Sequence, residues 1–315
     1  MERQEFVRQL TRSGVLVTPD ILERIASGEI TRPEDVSAPA RGGGGPKLSV
    51  VIKKHDGLER MSPQDFTAYY RNRYAGLRGI LMKKMQAVSI NKAGTGTGEV
   101  SVMGMVRERN PHGFVIEDET GELAVLSGED VQEDDVVGVR GEMREGKILQ
   151  KEIVWPDIPL SNQARAIPGV SILFATFLDD NIKKACGDIS LIFMPEDPKE
   201  APNDSKKLIS GLPNPCAAAV KKDGKEFNIL IYRPGREMTT QEAVEMLRKR
   251  HLSPERKSIR TKTDPFLIDP VPDAFWLISK SRHVERYKGV TIIITKADDA
   301  VKYDAGTGET YFAYG

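Results

Sequence analysis

The side chains whose types could hold a catalytic metal are Asp179, Asp180, Asp188, Asp197, His251 and His283. A two-metal hydrolytic site needs His, Asp and Asn ligands converging on ions about 3.5–4 Å apart. The chain has four histidines, His55, His112, His251 and His283. The acids cluster in short segments, FLDDNIKKACGD over residues 177–188 and PEDP over 195–198. The plainer reading is loop carboxylates and two ordinary histidines; the alternative is a rearranged metal site. His251 sits at the end of a helical pattern, where a cation meets the negative end of the helix dipole.

A second set of residues suits phosphate contact. Arg248, Lys249, Arg250, Arg256, Lys257, Arg260 and Lys262 are basic, with Glu255 the one acid among them. They could track a nucleic-acid backbone or form a solvated helix end and loop. The AGTGTG run at 93–98 precedes a strand pattern, not a helix, so it offers no helix N-terminus to a phosphate. It reads as a loop.

These residues need elements to position them. In residues 1–36, Phe6, Val7 and Leu10 stand at helical spacing before Gly14. Thr18–Pro19–Asp20 then opens a second helix, stopped by Gly28. Residues 37–46, SAPARGGGGP, read as a flexible linker. Residues 47–98 hold a short apolar run, Leu48–Lys53, and a helix opened by Ser62 as N-cap and Pro63 at its first position. That helix is expected to reach Met85 with Phe66, Tyr70, Leu77 and Leu81 on its apolar side.

Residues 99–160 are strand-rich. Five short strands, at 100–106, 113–116, 123–126, 136–142 and 147–153, alternate with turn glycines, which suits a small Greek-key barrel of the OB-fold kind. Within 99–154 there are fourteen acids and six bases, and Phe114 is the single aromatic. Single-strand binders need a basic groove with aromatic platforms, so this barrel favours a protein contact over a DNA contact. From residue 161 to 315 short buried runs alternate with helical segments, including a helix at 240–250, and 306–309 reads as a hairpin turn. The link Ile153–Pro159 is stiffened by prolines, and Trp155 there can bury a large apolar surface between barrel and C-terminal part.

Composition bounds the class. With 315 residues, 39% hydrophobic and 29% charged, and a formal net charge of zero, the chain suits a soluble protein of two domains without an overall polyanion-binding signature. No apolar run of 18 or more residues and no apolar leader occur, so no membrane contact or secretion is expected. Two cysteines, Cys186 and Cys216, fit a reducing cytoplasm.

Several segments in order resemble one family. They are Ala87–Lys92, Glu99–Val106, Ile116–Glu122, Val136–Gly141, Ile153–Pro159, Arg250–Pro254, Val271–Phe275 and Tyr287–Val290. Together they cover roughly residues 60–160 and 190–294 and resemble the small subunit of the archaeal family D DNA polymerase. The resemblance implies a mixed α+β chain: an N-terminal helical unit, an OB-fold and a calcineurin-like phosphoesterase α/β sandwich. It also implies a large catalytic subunit as partner, DNA as a further contact, and a 3′–5′ exonuclease site. At the positions where the family carries metal ligands this chain has Pro198, Arg233, Ser279 and Ser281. Proline and arginine offer a metal no ligand atom and serine is a poor substitute for histidine or aspartate, so the phosphoesterase site reads as degenerate. No catalytic residue, metal or cofactor is expected. The expected role is a non-catalytic accessory subunit; the alternative is a free-standing paralogue binding nucleic acid or another replication protein.

Overall fold

In the computed structural model the described residues are 48–53, 60–179, 182, 188–198, 208–253 and 261–313, together with Ile25. The chain divides into two compact units, Met1–Lys47 and Leu48–Gly315. The expected helical module at 1–36 and linker at 37–46 lie outside the described residues, apart from Ile25, which is helical and buried. The second unit is mixed α+β, rich in sheet and poor in helix. No described helix is long and apolar enough to cross a membrane.

Strand β1 (Ser49–Ile52) is followed by helix α1 (Pro63–Leu81). Ser62 caps α1: its hydroxyl accepts from the Asp65 N–H at 3.2 Å, and the Asp65 carboxylate accepts from the Ser62 N–H at 2.9 Å. Two otherwise orphaned donors are satisfied reciprocally. The buried face of α1 carries Tyr69, Arg73, Tyr74, Leu77 and Leu81, while Phe66 is exposed. The expected apolar side was therefore rotated by one residue at its N-terminal half, for a reason that lies in the joint described below. The helix also ends at Leu81, short of Met85.

Next come a short helix, α2 (Ile90–Gly94), and five strands: β2 (Gly98–Asn110), β3 (Gly113–Asp118), β4 (Gly121–Leu126), β5 (Val136–Arg144) and β6 (Lys147–Val154). They close into a barrel in the order β2-β3-β4-β6-β5. The AGTGTG run is partly regular: its first two residues end α2 and its last begins β2. The length of β2 makes closure possible. Its first half pairs with β5 and its second with β3, across a bulge between Val106 and Glu108 that bends the strand. Gly141 stands at the corresponding irregularity of β5, where a Cβ would lie 2.3 Å from the Leu149 carbonyl oxygen. Alternate side chains fill the interior, among them Val102, Phe114, Ile116, Val137, Val139 and Ile148.

The remaining strands make two sheets. β7 (Ser171–Ala175), β8 (Leu191–Phe193), β9 (Leu208–Ile209), β15 (Ala300–Asp304) and β16 (Thr310–Phe312) form one, ordered β16-β15-β7-β8-β9. β10 (Cys216–Lys222), β11 (Lys225–Tyr232), β12 (Ala274–Ser279), β13 (His283–Tyr287) and β14 (Val290–Lys296) join β1 in the other, ordered β1-β10-β11-β12-β14-β13. Helix α3 (Thr240–Lys249) connects β11 to its parallel neighbour β12.

The two sheets share one core. Phe174, Phe193 and Tyr303 from the first meet Phe227, Ile229 and Trp276 from the second. The Phe174 and Trp276 rings lie 5.0 Å apart. The other face of the six-stranded sheet is covered too, with Phe275, Leu277, Ile292 and Ile294 packed under Ala243, Met246 and Leu247 of α3. Burial on both faces explains why β12 and β14 read as continuous apolar runs without alternation. The hairpin expected at 306–309 joins antiparallel β15 and β16.

Candidate functional site

Ligands of open α/β sheets bind beyond the carboxyl ends of parallel strands. Here those are the ends of β7, β8 and β9 in one sheet and of β11, β12 and β14 in the other. Arg233 follows β11. Its N–H donates to the Asn214 side-chain oxygen at 2.9 Å, its guanidinium donates to the Leu212 carbonyl at 3.1 Å, and Glu196 lies 3.7 Å away. Ser279 ends β12, buried, its hydroxyl accepting from the Met238 N–H at 2.7 Å. Ser281 lies two residues on, in the turn to β13. Pro198 follows Asp197 in the chain leaving β8.

The carboxylates at this edge are engaged locally. Asp197 accepts from the Ser210 hydroxyl at 2.6 Å, and Asp179 accepts from the Ile182 N–H at 2.7 Å. Asp299, buried, takes the Arg282 guanidinium at 2.8 Å and the Lys296 N–H at 3.0 Å. Burial opposes ionisation of Asp299, but these donors outweigh it and hold its carboxyl below the usual range. Asp188 is exposed, and Asp180 lies outside the described residues. His283 is exposed on β13, 3.4 Å from Glu285. Cys216, in the core, is no nucleophile, because burial pushes its thiol up to about 11. Among the described residues no three His, Cys, Asp or Glu side chains are grouped to hold a metal.

The densest polar chemistry lies elsewhere, where α1 runs between the barrel and the two-sheet unit. Asp264, fully buried, accepts from Tyr69 Oη at 2.9 Å, Arg73 Nε at 2.8 Å and His251 Nε2 at 2.8 Å. Arg73 also donates to Tyr69 Oη at 2.9 Å, and the Asp264 N–H donates to Asn72 at 2.8 Å. His251 Nδ1 accepts from the Ser253 N–H at 2.9 Å, which fixes its proton on Nε2, toward Asp264. Both ring nitrogens are used, so this histidine has no free lone pair for proton transfer. Burial holds His251 below its ordinary pKa, hence neutral. Burial would raise Asp264, but His251 and Arg73 outweigh it and hold the carboxyl well below the carboxylate range. This pairing turns Tyr69 and Arg73 inward and leaves Phe66 outside.

Further contacts join the barrel, the chain after α1 and the two-sheet part. Lys249, at the end of α3, pairs with Asp135 beside β5 at 2.8 Å; both are largely buried, and desolvation raises the Asp135 pKa. Lys84 donates to the carbonyls of Trp155 at 3.3 Å and Asp157 at 2.8 Å. Asp157 in turn accepts from Tyr287 Oη at 2.9 Å and pairs with Lys288. Trp155 packs into the barrel core while the Arg248 guanidinium of α3 lies 4.6 Å from its ring centroid. Met85 fits against the barrel because Gly138 has no side chain; a Cβ there would stand 2.1 Å from the Met85 sulfur.

The described basic residues of the proposed phosphate track are each engaged by neighbours in the fold. Arg248 stacks on Trp155 and pairs with Glu245 at 3.4 Å. Lys249 is spent on Asp135. Arg250 is buried, in the left-handed region at φ 55°, and its guanidinium donates to the Ile268 carbonyl at 2.7 Å. Lys262 is exposed and lies 3.3 Å from Asp65. Arg256, Lys257 and Arg260 lie outside the described residues. Asp264, Arg73 and Tyr69 escaped the sequence reading; the one signal for them was the row Tyr69, Arg73, Leu77 at four-residue spacing.

No protein-family model matches the chain. Part of it is similar to the protein named DNA polymerase II small subunit of Methanothermobacter thermautotrophicus, 28% identical over 169 residues, 46% of this chain and 35% of the relative. Part is similar to the protein of the same name from Archaeoglobus fulgidus, 30% identical over 122 residues, 35% of this chain and 25% of the relative. The matches thus span about a third and a quarter of the relatives' lengths. These partial matches support the family that the order of motifs resembles, the archaeal DNA polymerase II small subunit.

Proposed function

We propose that this chain is a non-catalytic accessory subunit of an archaeal replicative DNA polymerase that scaffolds the large catalytic subunit. The closed barrel is read as an OB-fold, and the two-sheet unit as a phosphoesterase-like domain without its exonuclease site. The observation that carries the reading is the fate of the strand ends. Where the resemblance places metal ligands stand Pro198, Arg233, Ser279 and Ser281, and Arg233 and Ser279 are bound into the fold by hydrogen bonds. A proline and a structural arginine give two divalent ions nothing to bind. With manganese, the protein is expected to release no nucleotides from a 3′ end. Release that disappears in Asp179→Ala or Asp188→Ala would overturn the loss of the site.

The scaffold half rests on the joint. A barrel and a two-sheet unit locked by buried pairs present one surface, so a partner can read both at once. Binding of the large subunit is expected to weaken with added salt, because the barrel is acidic and charge complementarity acts mainly on association. Co-purification from the native host tests the partner. Equal binding by the isolated two-sheet unit would refute the joint platform.

A further inference from the structure

We draw no further inference here: the strongest candidate, the apolar pocket of about 300 Å³ that Val51, Ala217, Ala219 and Leu230 form with Pro265 and Pro270 beside the edge strand β1, carries nothing because nothing in the structure shows what covers it.

Discussion

Replacing Asp264 with alanine is expected to destabilise the second unit by about 3–5 kcal/mol, the usual consequence of breaking a buried ion pair from one side. The change leaves Arg73 buried without its counterion, and His251 Nε2 and Tyr69 Oη without their acceptor. At about 2–4 °C per kcal/mol for chains of 150–250 residues, the unfolding midpoint should fall by roughly 10 °C. A variant within about 1 kcal/mol of the parent in urea unfolding would show that the cluster is not the joint. The same cluster fixes an acid dependence. His251 is held below 6.5 by burial, so below that pH the unfolded chain takes up a proton that the folded chain resists, and stability falls. Asp264 is held below 3.8, so its contribution is complete above that value and is lost as pH falls through its lower folded pKa. The two act with the same sign. Urea midpoints should drop from pH 6.5 to 4.5 in the parent and less steeply in His251→Gln.

Trp155→Ala should cost about 3–5 kcal/mol, as for other large buried aromatics. The ring is 7% exposed, fills the rim of the barrel core and receives Arg248 from α3. Its Nε1 has no hydrogen-bond partner among the described residues, so packing and the cation contact hold it. Trp155→Phe should therefore retain most of the stability. If the partner reads barrel and sheets together, Trp155→Ala should also weaken binding of the large subunit, at a temperature where the variant is still folded. Unchanged binding by a folded Trp155→Ala protein would show that the two parts act independently.

Local signals in the chain set much of this architecture. Ser62 and Thr239 open α1 and α3, because each side chain accepts from the N–H three residues on, whatever surrounds the helix. Alternating apolar residues between turn glycines placed the five barrel strands, since a strand with one buried face needs a period of two. The residues at 198, 233, 279 and 281 are legible as a proline and an arginine, which offer a metal no ligand atom, and two serines, which are poor substitutes for histidine or aspartate. What those side chains do instead is a matter of distant neighbours, such as Met238 for Ser279.

The orientation of α1 was decided only in three dimensions. Hydrophobicity favours Phe66 and Tyr70 inward; the fold chooses Tyr69 and Arg73 because Asp264 waits 191 positions from Arg73. Lys249 and Arg250 read as phosphate binders until Asp135 and the Ile268 carbonyl take them. Periodicity measures the neighbours of a residue along the chain. A buried charge is settled by whichever partner the chain brings back to it, and that partner is fixed only when barrel, helix and sheets close around one another.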